Sequence, residues 1–332
     1  MIAHRLSVKK LFMWRRFPAS VAPWPALSRL CFRALIVLSA LCALSGCWSL
    51  QNRWRLFSSL VEQRDLPYLD DGHPKHALHI FAPPNAKDAP VVIFVHGGYW
   101  RSGDRSYFER VLGLYANVGV ALAEQGMVVA IPSYRLFPEV KNVEFMLDDI
   151  GATMLYVQEN ARRYGGDPKR IFLMGHSAGA HLVALLSASP ENLRDRNLST
   201  RDVRGFISIS GVYDIESCAA NANPPRMKEE LWDPLFGNAA SKRKASPIHD
   251  LKTKEHPPAL FLVGENDYPN CLRDFASVQH VLQKRQDREA EFVRLPGLDH
   301  EQIILSVGGP ADLVTPRVIR FIARQNRLSA GK

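Results

Sequence analysis

The chain has 332 residues with 46% hydrophobic and 23% charged side chains, enough apolar material for one large folded domain and too much for a disordered chain. The formal charge of +9 is unevenly placed: residues 1–47 carry seven basic side chains and no acid, and the rest balances 35 basic against 33 acidic residues. A near-neutral body argues against a nucleic-acid-binding face, and the short cluster Lys242-Arg243-Lys244 reads as a solvated loop.

In chain order, the first predicted element is a targeting segment. A basic stretch precedes an apolar run over 34–44, too short for a membrane span of about 20 residues and the right length for a signal-peptide core. Leu44-Ser45-Gly46-Cys47 follows and resembles the lipobox of bacterial lipoproteins. That resemblance implies a signal peptide over 1–46, lipidation at Cys47, export, and attachment to a membrane at the periplasmic face. The alternative is an ordinary signal peptide or short N-terminal anchor. A tether over 47–64 leads into a catalytic domain at 65–328.

Strand signals fall at 77–81 and 90–95, a helix at 105–125, a strand at 127–131 and a helix at 142–163. Then come strand 170–174, helix 178–188, strands 203–210 and 258–263, helix 271–286, strand 290–295 and helix 311–325. The strands are apolar throughout and separated by helices, the pattern of a mostly parallel sheet buried on both faces. Residues 215–255 break the alternation with Pro224-Pro225 and mixed apolar residues, and read as a small cap insertion.

Four loops at predicted strand ends carry chemistry. Gly175-His176-Ser177-Ala178-Gly179 lies between a strand and a helix, the context a G-x-S-x-G nucleophile elbow requires. His96-Gly97-Gly98-Tyr99-Trp100 follows a strand, and Gly97, Gly98 and Ala178 are the candidate oxyanion donors. His300 is the one histidine beyond the elbow that follows a strand end, which makes it the candidate base. Asp267 follows the strand at 258–263 and is the candidate acid, with Asp214 as its rival. His96 and His176 read as structural, and Tyr99 and Trp100 either line a pocket or pack the loop. Of five cysteines, only Cys218 and Cys271 lie past Cys47, and they are a candidate disulfide pair in an exported protein, with two free buried thiols as the alternative. No spacing suggests a metal site, and no cofactor is implied.

Together with Ser133-Tyr134-Arg135 and Tyr164-Gly165-Gly166-Asp167-Pro168, these motifs resemble the α/β-hydrolase branch of kynurenine formamidases, prenylcysteine methylesterases and small-ester carboxylesterases. The resemblance spans about residues 65–328. It implies the α/β-hydrolase fold, Ser177, Asp267 and His300 as triad, and a small-molecule ester or formamide as substrate. The export signal favours ester over formylkynurenine, whose hydrolases in this branch are cytosolic. A catalytically silent binding protein on the same fold is the rival from another class.

Overall fold

A computed structural model describes residues 59–330 apart from 108, 110–112 and 223. The expected signal segment, Cys47 and the tether up to residue 58 lie outside the described residues.

Among the described residues the strands form one sheet of eight, β1 (Val61–Pro67), β2 (Ala77–Ala82), β3 (Ala89–Val95), β4 (Val128–Pro132), β5 (Gly166–His176), β6 (Gly205–Ile209), β7 (Ala259–Gly264) and β8 (Ala290–Leu295). The order is β1-β2-β4-β3-β5-β6-β7-β8. β1 pairs antiparallel with β2 and β2 with β4; the other neighbours are parallel. The end of the expected tether, residues 61–64, is therefore part of an edge strand rather than a linker.

The helices are α1 (Ala116–Ala123), α2 (Val143–Asn160), α3 (Ala178–Ala188) and α4 (Pro190–Arg194), then α5 (Ile215–Ala220), α6 (Asp233–Phe236), α7 (Ala239–Lys244) and α8 (Pro247–Thr253), and finally α9 (Pro269–Lys284), α10 (Gln302–Leu305) and α11 (Thr315–Ala330). Alternation along the strands sends side chains to two separate apolar layers. Val91, Ile93 and Val95 of β3 pack with Leu147, Ile150 and Met154 of α2 and Leu182 of α3. Val92 and Phe94 pack with Val118 and Leu122 of α1 and Val318 and Phe321 of α11. Both faces are covered, so β3, β4 and β7 need no polar side and their sequences show none.

Two elements differ from the sequence reading. The helix expected at 105–125 is not continuous: Glu109 is helical, but Gly113 and Tyr115 sit at φ +66° and +69°, outside helical space, and α1 starts after them at Ala116. The basic cluster at 242–244 closes α7 rather than forming a loop, and each of its side chains meets a carboxylate: Lys242 with Asp233 at 2.8 Å, Arg243 with Glu216 at 3.8 Å and Lys244 with Glu144 at 2.9 Å. The cap consists of α5 to α8 and a π-helical turn at Lys228–Trp232, all inserted between β6 and β7.

Candidate active site

The site lies at the C-terminal ends of β3, β5, β6, β7 and β8. Ser177 occupies the turn from β5 into α3 at φ 55° and ψ −119°, a backbone conformation costly for a residue with a Cβ. Two glycines make the turn geometrically feasible. A Cβ on Gly175 would stand 2.4 Å from the Gly179 carbonyl oxygen, and one on Gly179 would stand 2.1 Å from that of Val95. The Ser177 N–H donates to the Ile209 carbonyl at 2.9 Å, tying the elbow to the end of β6.

Side chains from the β7 and β8 loops meet this serine. Ser177 Oγ lies 2.9 Å from His300 Nε2, and His300 Nδ1 lies 2.8 Å from Asp267 Oδ1. Asp267 and His300 are both buried. Burial alone would raise the Asp267 carboxyl; the hydrogen bond and charge of His300, with donors from Ser210 and the Tyr268 N–H, outweigh it and hold the group below its ordinary value. The rival acid, Asp214, faces elsewhere: its Oδ1 accepts the Ser217 N–H at 2.9 Å and caps α5.

The loop after β3 closes over the serine. A Cβ on Gly97 would touch Ser177 Cβ and the His176 carbonyl at 3.0 Å, so the backbone approaches the nucleophile closely only because this residue is glycine. Gly98 adopts φ +121°, and a Cβ there would lie 2.1 Å from the Ser102 carbonyl. His96 Nδ1–H donates to the Gly97 carbonyl at 2.8 Å. In a planar trans peptide the next N–H points the opposite way, so this bond fixes the direction of the Gly98 N–H. Ala178 opens α3, where its N–H has no partner within the helix. Gly97, Gly98 and Ala178 thus surround one serine.

Two histidines read as structural from the sequence hold the loops. His96 is fully buried, stacked on Tyr134 at 4.3 Å, and burial lowers its pKa to about 4. His176 Nε2–H donates to the His300 backbone carbonyl at 3.0 Å, and burial, with His300 beside it, lowers its pKa to about 3. The aromatic pair of the β3 loop divides. Tyr99 is 46% exposed, and Trp100 is buried.

Residues that the sequence reading passed over complete the surroundings. Ser210, at φ 54°, donates its hydroxyl to Asp267 Oδ2 at 2.5 Å. Tyr268 stacks on His300 with ring centroids 4.4 Å apart, and its hydroxyl donates to Glu301 at 2.5 Å. The available signal for Ser210 was its place, directly after β6 at the same sheet edge as the other four loops.

Cys218 and Cys271 are free thiols, which corrects the candidate disulfide. Each sulfur has its own partners: Cys218 Sγ lies 3.5 Å from Asp274 Oδ2, and Cys271 Sγ lies 3.4 Å from the Ser210 carbonyl and 3.9 Å from His300 Nδ1. Burial pushes both thiols up, which keeps them protonated. Among the described residues, Asp267, Cys271 and His300 form a group with metal-ligand types, their ligand atoms within 4.8 Å of one another. The Asp267–His300 hydrogen bond already engages the oxygen and the nitrogen of that set.

A mostly parallel eight-stranded sheet flanked by helices, with a strained serine between β5 and α3, defines an α/β-hydrolase. The chain belongs to the BD-FAE family, whose model matches residues 78–271. It is 27% identical over 271 residues to a probable isoprenylcysteine alpha-carbonyl methylesterase of Arabidopsis thaliana, covering 77% of this chain and 61% of that protein. The chain thus spans about three fifths of the plant protein's length. It is 28% identical over 266 residues to the kynurenine formamidase of Danio rerio, covering 78% of this chain and 82% of the other. The structure of esterase B from Lactobacillus rhamnosis superposes with a TM-score of 0.69 at 19% identity, over 90% of this chain and all of that one, and so shares the fold.

Proposed function

We propose that the protein is a serine hydrolase that cleaves carboxylic esters through an acyl-enzyme, with Ser177 as nucleophile, His300 as base and Asp267 as the orienting acid. The observation that carries this reading is the unbroken path from Ser177 Oγ to His300 Nε2 at 2.9 Å and from His300 Nδ1 to Asp267 at 2.8 Å.

The steps follow from where protons and charge move. His300 takes the hydroxyl proton as Ser177 Oγ attacks the ester carbonyl. Asp267 holds the imidazole with Nδ1–H toward itself and stabilises the cation that forms. Charge developing on the carbonyl oxygen is met by the N–H groups of Gly98 and Ala178, each worth about 2.7–4 kcal/mol to the transition state. His300 then protonates the departing alcohol, and water, deprotonated by the same histidine, releases the acid. Names among the relatives support ester cleavage, and the formamidase relative makes a formamide the second substrate class to measure.

A fluorophosphonate probe should label the protein at Ser177, and Ser177→Ala should abolish labelling and lower kcat by several orders of magnitude, on the order of 10⁶. Folded protein that resists the probe would refute the reading. Comparing kcat/KM for short p-nitrophenyl esters and for N-formylkynurenine separates ester from formamide specificity.

The reading extends to location. A basic stretch, the apolar run at 34–44 and Leu44-Ser45-Gly46-Cys47 support export, cleavage before Cys47 and lipid attachment there. Mass spectrometry of the mature N-terminus tests it: an acylated Cys47 is expected, and a chain retaining residue 1 contradicts it.

A further inference from the structure

His181 stands one turn into α3, four residues past the nucleophile, and is fully buried. Its two ring nitrogens reach two different parts of the molecule. Nδ1 accepts the indole N–H of Trp100 at 3.3 Å, and Nε2–H donates to the carbonyl of Ala245 at 2.8 Å. A neutral imidazole has one acceptor and one donor. Both are used here, so the partners fix the tautomer as Nε2–H. Burial lowers its pKa to about 4, in keeping with a neutral ring.

Both partners matter for the chemistry. Trp100 belongs to the loop that carries Gly97 and Gly98, and it follows Tyr99 at positive φ, the two residues standing at 53° and 56°. A loop held in that conformation needs its surroundings to keep it there. Its carbonyl accepts the Phe137 N–H at 2.8 Å. Its indole is enclosed edge-on by Trp232 and Phe236 of the cap, with centroids 5.5 and 5.2 Å away. Ala245 is the cap residue that ends α7. His181 therefore joins three pieces by hydrogen bonds: the elbow helix, the glycine loop and the cap.

We propose that His181 is a positioning residue that sets the oxyanion loop against Ser177 and makes the loop's geometry depend on the docked cap. The tryptophan is anchored to the same helix that presents the serine, so the Gly98 and Ala178 donors stay at a fixed separation. If Ala245 withdraws, the imidazole loses its acceptor and the Nε2–H tautomer loses its reason to persist; Trp100 is then released. The inference rests on the serine-hydrolase reading, and it assigns His181 no contact with substrate.

The experiment uses the full chain and begins with fluorophosphonate labelling of the parent, which stands or falls with Ser177 alone. Given labelling, His181→Phe keeps an aromatic ring and removes both hydrogen bonds, and Trp100→Phe removes the donor together with one ring of the indole. Each should lower kcat by about tenfold to a hundredfold, less than or near the loss of one oxyanion donor, with KM within about threefold. The double variant should be no worse than the weaker single. A trifluoromethyl ketone, which forms a tetrahedral adduct on the serine, should bind more weakly by the same factor as kcat/KM falls. His181→Gln, which offers an amide acceptor and donor, should recover most of the loss. A role confined to core packing predicts otherwise: lower thermal stability, with kcat and ketone affinity unchanged in the folded protein. That outcome, or additive losses in the double variant, overturns the proposal while leaving the labelling of Ser177 intact.

Discussion

Asp267 keeps its charge in a nearly dry site because four groups donate to it. His300 Nδ1 and the Tyr268 N–H share Oδ1, at 2.8 and 2.7 Å, and Ser210 Oγ and the Gly264 N–H share Oδ2, at 2.5 and 3.4 Å. Ser210 is the side chain among these that nothing else in the proposed triad replaces. It also sits at positive φ, so hydroxyl and backbone effects need separate variants. Ser210→Ala removes the hydroxyl and keeps the strain; Ser210→Gly removes both. A hydrogen bond to a charged group contributes about 1.5–3 kcal/mol, so both variants should lose roughly tenfold or more in kcat at pH 7 if the hydroxyl is what matters. Steady-state kinetics decides: a Gly variant with parental kcat would mean that the kink, not the hydroxyl, positions the acid. The legibility of these residues follows from their kind. Ser177 was readable because sterics force glycines around it, and Asp267 and His300 because they lie in the loops that follow the strands at 259–264 and 290–295. Ser210 reaches its partner across 57 positions through one hydroxyl, and a contact of that sort imposes no pattern on neighbouring residues.

At the scale of elements, the central strands were legible because burial on both faces leaves only apolar residues, as in Val91-Val92-Ile93-Phe94-Val95. β1 was not, because its edge position exposes Glu62, Gln63 and Arg64 and erases the apolar signal. The cap gave only its existence: its short helices start at or near prolines, as at Pro234 and Pro247, and have no common period. What fixes the base of the cap is a buried carboxylate on α9. Asp274 Oδ2 accepts the N–H groups of Tyr213 and Asp214 at 2.7 and 3.0 Å, just before α5 begins. Asp274→Leu should leave both amides without an acceptor and cost about 2–5 kcal/mol, whereas Asp274→Asn keeps one acceptor oxygen and should cost less. Thermal unfolding of the two variants checks the order. Equal midpoints would show that the amides find other partners when the cap base relaxes.

For the whole molecule the consequence of this site is a dependence of stability on pH. His96, His176 and His181 are all buried around Ser177, and burial is the leading cause that lowers their pKa values from 6.5 to about 4, 3 and 4. His79 shifts in the same direction. The sign follows from proton counting. Between pH 6.5 and about 4 the unfolded chain binds protons on these rings and the folded chain does not, so acid favours unfolding. Their contribution is complete above pH 6.5 and drains as the pH falls toward 4. Asp274 and the half-exposed Asp148 work the other way, since burial raises their pKa values and protonation there favours the folded state, but they are two carboxyls against four histidines. Each deeply buried histidine should remove about 1–2 kcal/mol between pH 7 and pH 5. Several such losses together are a large share of a typical folding free energy of about 5–15 kcal/mol. Urea unfolding should therefore shift to a clearly lower midpoint at pH 5 than at pH 7. His176→Gln retains a donor for the His300 carbonyl and no longer titrates, so its midpoint should fall less over the same interval, even if it starts lower. A parent midpoint that stays flat from pH 7 to pH 5 would mean that these rings are charged in the fold, and with them the neutral hydrogen-bonding pattern around the serine would have to be redrawn.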